Sequence, residues 1–193
     1  VLVGGNLLKS SIILVRMKKK IIIDCDTGVD DAQAILMAVL TEDVEVLAIT
    51  CVAGNVSVEQ AAKNTVRVLH AVDDKCLGIP VFLGCDQPLI NFPMLETAHT
   101  DATKYHGNDG LGDAPEATVG APPYDAVINR SEKAAVAICR LIHDNPGEVT
   151  VVALGPLTNI ALAMRLDSEI CKKIKSLYIM GELTFTFVSL LVG

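Results

Sequence analysis

Short apolar runs alternate with amphipathic stretches along most of the chain. Residues 20–25 (KIIIDC) form a continuous apolar run of strand length, the mark of a strand buried on both faces. Residues 30–40 (DDAQAILMAVL) have helical composition, with acids in the first turn where the helix dipole favours them. A second strand is expected at 44–52 (VEVLAITCV). Ser57 then opens a helix through Val72, with Gln60 three residues on completing a capping box. Residues 79–84 (IPVFLG) read as a third strand. An amphipathic helix runs from Ser131 to Asp144 and is ended by Pro146-Gly147. A strand at 149–154 (VTVVAL), a helix at 157–165 and a strand at 174–180 (IKSLYIM) follow. Strands alternating with helices predict βαβ units: an α/β, doubly wound, mostly parallel sheet with helices on both faces. Residues 85–130 break this rhythm and hold most of the prolines. A loop that long inside a domain is usually functional.

The chain of 193 residues is long enough for one domain with a sizeable core. Half its residues are apolar (51%), which excludes a disordered polyampholyte. A net charge of −7 argues against a nucleic-acid partner, which would call for a basic face. Aromatics make up 4% with no Trp, so stacking platforms for sugars or single strands are disfavoured. No apolar window reaches the roughly 18 residues that span a bilayer, so no membrane partner is expected. The six cysteines show no C-x-x-C spacing and fit reduced thiols in a cytoplasmic setting. The body of the domain is expected at 17–181. Residues 1–16 read as an extension: their basic cluster follows the apolar stretch, the reverse of a secretory signal. Residues 182–193 form an apolar tail too short to span a membrane, able to add a strand.

In doubly wound sheets ligands bind beyond the carboxyl ends of the strands. The strongest signal lies at such an end: IIIDCDTGVDDAQAI places Asp24, Asp26, Asp30 and Asp31 together after a buried strand. Period two puts Asp24 and Asp26 on one side of it. Four carboxylates this close repel each other unless some are protonated or a cation sits among them. Oxygen donors with no His or Cys nearby point to a hard cation, Ca²⁺ or Mg²⁺.

This D-x-D-x-x-x-D-D pattern closely resembles the calcium-dependent nucleoside hydrolases, the inosine–uridine-preferring N-ribohydrolases. The resemblance recurs at Asn55 in CVAGNV, in the loop YHGNDGLG (105–112), in VTVVALGPLTNIALAMR (149–165) and in LYIMG (177–181). It implies hydrolysis of the N-glycosidic bond of a small nucleoside by a calcium-activated water. By that resemblance Ca²⁺ is held by Asp26, Asp31 and the backbone carbonyl of Leu154. Asp26 is the general base, and Asp30 binds the ribose 2′-hydroxyl. Asn55 lines the ribose side, and Asp24 orients the ligands from behind. His106 either contacts the nucleobase or leaving group or is a loop histidine satisfied by solvent. Thr158 and Asn159 read as caps and packing at a helix start.

Family members continue past this chain's end with a ribose clamp, a leaving-group acid and a further calcium ligand, none of which can be matched here. The chain is therefore expected to be a C-terminally truncated form with an unrelated tail, with little or no hydrolysis of its own and prone to homo-oligomerise. A calcium-binding regulatory remnant without turnover is the alternative. A third reading rests on IIIDCDT, which also resembles the first motif of haloacid-dehalogenase phosphatases, with Asp24 as nucleophile and Asp26 as acid/base. That motif lacks the Asp30-Asp31 pair, and its later acidic strand ends have no counterpart here.

Overall fold

A computed structural model describes residues 17–90, 105–114 and 123–181. Strand β1 is Lys19–Cys25, followed by helix α1 (Val29–Leu40), β2 (Val44–Cys51) and α2 (Val58–Val72). Next come a 3-10 turn at Asp74–Gly78, β3 (Val81–Leu83), a second 3-10 turn at Tyr124–Ala126 and β4 (Ile128–Asn129). Helix α3 (Ala134–Asp144), β5 (Val149–Ala153), α4 (Thr158–Leu166), α5 (Ile170–Lys173) and β6 (Ser176–Ile179) complete the order.

The strands form one six-stranded sheet in the order β4-β3-β2-β1-β5-β6, and every adjacent pair is parallel. The chain winds outward from β1 through β2, β3 and β4, then returns to the other side of β1 for β5 and β6. The order therefore reverses at β1, and the ends of β1 and β5 flank the crevice that such a reversal opens. The motif-bearing ends of β1 and β2 lie beside it.

Alternation along β1 sorts the core into two layers. Ile23 and Cys25 pack with Ile49 and Cys51 of β2 against Ile35 of α1 and Val66 and Leu69 of α2. Ile22 faces the other way with Val149 and Val151, against Ile138 and Ile142 of α3, Ile160 of α4 and Ile170 of α5. Phe82 of β3 fills the space left by three alanines, Ala48, Ala134 and Ala137. The expected layering, with helices on both faces, is what these contacts give.

Several element bounds differ from the sequence reading. Five strands were legible; the sixth, β4, has two residues, too few to carry a periodicity. The third strand is confined to Val81–Leu83. Helix α3 starts at Ala134, because Ser131 is engaged with the side chain of Asn129 instead of opening the helix. Ser57 does cap α2, accepting the Gln60 N–H at 3.3 Å. The Gln60 side chain does not return to complete the box; it reaches Asn64 Oδ1 at 2.9 Å. Residues 1–16 and 182–193, with the extra strand expected of the tail, lie outside the described residues. Among the described residues no helix is long and apolar enough to cross a membrane. The edge strand β6 leaves Tyr178 and Ile179 exposed, with Met180 just beyond.

Ile49 is fully buried on a strand paired on both sides. Ile49→Ala is expected to cost about 2–5 kcal/mol, read as a lowered denaturant midpoint at unchanged slope. A loss well under that range would show that the α2 side of the core repacks freely.

Candidate functional site

The sequence cluster divides into two levels. Asp24, still in β1, has no exposed surface. Its Oδ1 accepts hydrogen bonds from Thr50 Oγ1 at 2.5 Å and Asn159 Nδ2 at 2.8 Å. Its backbone carbonyl accepts the Leu154 N–H at 2.7 Å, which fixes the end of β5 beside it. Asp24 Oδ2 is buried without a partner. Burial raises its carboxyl to about 7, against the lowering influence of the bonds from Thr50 and Asn159. A carboxylate locked in this way cannot act as the exposed nucleophile of the phosphatase reading.

Asp26 lies past the strand end, at the mouth. A Cβ at Gly54 would stand 2.1 Å from Asp26 Oδ2, and one at Gly155 would stand 2.9 Å from Asp26 Oδ1. Only glycine at both strand ends leaves room for this carboxylate. Asp26 Oδ2 accepts the Asn55 N–H at 2.6 Å. Asn55 was singled out for its side chain; its backbone is what holds Asp26.

Asp31 enters from the first turn of α1 and is 1% exposed. Its Oδ2 accepts the Gly28 N–H at 2.8 Å, which closes the helix start, while Oδ1 is buried with no partner. Burial raises its carboxyl to about 7, opposed by the Gly28 bond and reinforced by the neighbouring Asp26 and Asp30. Asp30, on the same turn, is half exposed.

Gly28 marks where the other named side chains converge. A Cβ there would meet Asn55 Nδ2 at 2.7 Å, Asp30 Oδ1 at 3.1 Å and His106 Cδ2 at 3.2 Å. His106 Nδ1 accepts the Val29 N–H at 3.3 Å, and its Nε2 lies 3.8 Å from Asp30 Oδ1. Of the two readings left open for His106, the geometry excludes a side chain satisfied only by solvent. The structure thus brings together Asp26, Asp31, Asp30, Asn55 and His106, with Asp24 and Leu154 directly beneath.

The sequence reading missed what Asn159 does. The N-cap of α4 is Leu157, and Asn159 is fully buried rather than capping. Its Nδ2 also donates to the Cys51 carbonyl at 3.0 Å, and its Oδ1 accepts the Cys85 N–H at 2.8 Å. The available signal was an amide on the apolar face of a helix, beside Ile160 and Ala163.

Among the described residues no three His, Cys, Asp or Glu side chains form a ready-made metal cage. The donor set nonetheless suits a hard cation. Asp31 Oδ1 is a buried carboxylate oxygen lacking any partner, with further carboxylates at its side, and a cation would satisfy it. Carbonyls, waters and substrate hydroxyls would have to complete the coordination.

A family model described as inosine-uridine preferring nucleoside hydrolase matches residues 21–184. Uridine nucleosidase 1 of Arabidopsis thaliana is 39% identical over 170 residues, covering 87% of this chain and 46% of the relative. The inosine-uridine preferring nucleoside hydrolase of Leishmania major is 35% identical over 166 residues, covering 86% and 49%. Among solved structures, a purine-preferring ribonucleoside hydrolase from Gardnerella vaginalis aligns with TM-score 0.70 at 30% identity, covering 84% of this chain and 48% of that one. The chain spans about half the length of the curated relatives it matches.

The raised carboxyls of Asp24 and Asp31 set a pH dependence. The folded protein favours their neutral forms more than the unfolded chain does, where they titrate near 3.8. This part of the metal-free stability is present below that value and is lost as pH rises through about 7, by on the order of a few kcal/mol. Urea midpoints in chelator should fall across that window. Asp24→Asn, which mimics the neutral acid, should flatten the fall; an unchanged slope would mean that Asp24 does not contribute.

Proposed function

Because the chain belongs to the inosine-uridine preferring nucleoside hydrolase family, we propose that its protein hydrolyses the N-glycosidic bond of ribonucleosides to base and ribose. The observation that carries this reading is the convergence of Asp30, Asn55 and His106 on Gly28, beside Asp26 and the unpartnered Oδ1 of Asp31. It supplies an acidic, oxygen-rich end, suited to a cation and a sugar's hydroxyls, next to an imidazole suited to a base. Relatives are named for uridine, for inosine and uridine, and for purines, so the reading is kept at ribonucleosides as a class.

Asp26 takes the proton of the attacking water as its oxygen bonds to the anomeric carbon. The bond from that carbon to the base nitrogen breaks, and its electron pair leaves with the base. The Asn55 N–H steadies one oxygen of Asp26, and the two flanking glycines keep other side chains off it. Asp30 accepts a hydrogen bond from the ribose 2′-hydroxyl, and Asn55 borders the ribose. His106 Nδ1 is occupied by the Val29 N–H, so in the neutral ring Nε2 carries the proton and can donate towards the base. Asp26, Asp31 and the Leu154 carbonyl would hold Ca²⁺, with Asp24 fixing β1 and β5 behind them. The ion's contribution when bound is to make the water more acidic, so that a carboxylate base suffices. Six free cysteines support a cytoplasmic setting.

Two measurements test this reading. Calorimetry should detect Ca²⁺ binding, and Asp31→Ala should weaken it at least about tenfold, the scale seen on losing a group that supports a metal. No heat at millimolar Ca²⁺ would remove the metal from the reading. Ribose release from inosine and uridine should require Ca²⁺ and fall about 10²–10⁴-fold in Asp26→Asn, the usual contribution of a general base. Tight Ca²⁺ binding with no release from any nucleoside would instead favour a regulatory calcium-binding role.

A further inference from the structure

Three side chains on α2 reach into the site from below, and each reaches a different part of it. Asn64 is fully buried. Its Nδ2 donates to the Thr27 carbonyl at 3.1 Å and to the Asp109 carbonyl at 2.7 Å. The first carbonyl belongs to the turn between Asp26 and Asp31; the second belongs to the loop that carries His106. Asn64 Oδ1 is itself held by Gln60 Nε2 at 2.9 Å and by Arg67 Nη1 at 3.2 Å, so the amide has no freedom to choose one carbonyl over the other.

Both of its targets need holding. Thr27 has φ +32°, a left-handed conformation that is costly for a β-branched residue. Besides Asn64, it is restrained by Thr65 Oγ1, which shares a hydrogen bond with Thr27 Oγ1 at 2.8 Å. The His106 loop is a small closed ring. The Gly112 N–H returns to the His106 carbonyl at 2.7 Å, and Asp109 Oδ1 accepts from Leu111 and Asp113. Arg67 clamps that ring through Asp109 Oδ2 at 2.8 Å and the Ala114 carbonyl at 2.9 Å. Of the three, Thr65 reaches only the turn, Arg67 reaches only the loop, and Asn64 alone reaches both, from below; on the upper side the Val29 N–H to His106 Nδ1 bond is a second, longer link at 3.3 Å.

We propose that Asn64 is a positioning residue that couples the carboxylate turn to the His106 loop, so that occupancy of one orders the other. The proposal rests on the site assignment made above. Because the coupling is reciprocal, a cation drawn into the turn firms the loop over the nucleobase side, and substrate held by the loop firms the cation site. The two halves of the site then do not form independently.

The test is amide hydrogen exchange on the protein with and without Ca²⁺. In the metal-free state, Asn64→Ala should lower protection at least about tenfold at both Gly28 and Gly112, the scale of one lost hydrogen bond to a buried group. Arg67→Met should do so at Gly112 alone, and Thr65→Val at Gly28 alone. Ca²⁺ should raise protection at Gly112 in the parent and in a control of reduced stability, Ile142→Val on the opposite layer, but not in Asn64→Ala. In turnover, Asn64→Ala should change both KM and kcat. Should Asn64→Ala fail to fold, Asn64→Ser, whose hydroxyl donates only one bond, serves in its place. The coupling is overturned if Ca²⁺ still protects Gly112 in the Asn64 variant, or if exchange rises only in the loop, only in the turn, or uniformly across the sheet. If the parent binds no Ca²⁺ or releases no ribose, the functional reading fails. The metal-free exchange pattern still decides the coupling.

Discussion

Four strand ends meet at one fully buried carboxyl. Asp24 of β1 accepts from Thr50 of β2 and from Asn159 of α4, and its carbonyl receives the chain leaving β5 at Leu154. Asn159 extends the tie to the end of β2 at Cys51 and to the chain leaving β3 at Cys85. A carboxyl in such a place is expensive, since burial opposes its charge and one oxygen finds no partner. What it secures is register at the carboxyl edge of the sheet, where an error of one residue would turn every side chain to the opposite face. The mouth of the site depends on that register. Gly54 and Gly155 must come to rest against Asp26, and a slip on either strand would put a side chain there.

Much of this was legible in the chain. Apolar runs of strand length alternating with amphipathic helices specify a parallel sheet, because only buried strands read as continuous apolar runs. The acid cluster after β1 stood out because carboxylates crowded behind a buried strand need a compensating reason. The illegible parts share a physical cause. Asn159 meets Asp24 across 135 positions of sequence, and His106 meets Val29 across 77, so neither pairing leaves a local pattern. Asn159 at a helix start looks like a cap, since capping is the common local use of an amide there. Its burial comes from packing that periodicity does not encode. Strand β4 was hidden for a different reason: two residues added at a sheet edge need no hydrophobic alternation of their own.

The contact to Asp26 carries a related lesson. Reading CVAGNV by side-chain chemistry draws attention to Asn55, yet the local requirement is for backbone. The Asn55 N–H is the donor, and Gly54 supplies the space that lets the two chains approach. Backbone donors cost little conformational entropy to position here because the bend after β2 is already fixed by the Ala53 N–H to Cys85 and Gly54 N–H to Val56 carbonyl bonds. They are invisible to a reading that counts functional side chains.

Asp24 and Asp31 share the main cause of their raised pKa and differ in what surrounds the rest of the carboxyl. Both are raised mainly by burial. For Asp24 the opposing influences are neutral donors, Thr50 and Asn159, which hold one oxygen and turn the carboxyl into a structural joint. Around Asp31 stand two further carboxylates, Asp26 and Asp30, so its remaining oxygen faces like charge. A cation reaching the mouth would relieve three mutually repelling groups at once. Asp24 also keeps an unpartnered oxygen, Oδ2, but it has no exposed surface, and its other oxygen is committed to Thr50 and Asn159. Repulsion left unresolved at the mouth is what the proposed cation would relieve. The buried joint below prevents the turn from relaxing away from that repulsion.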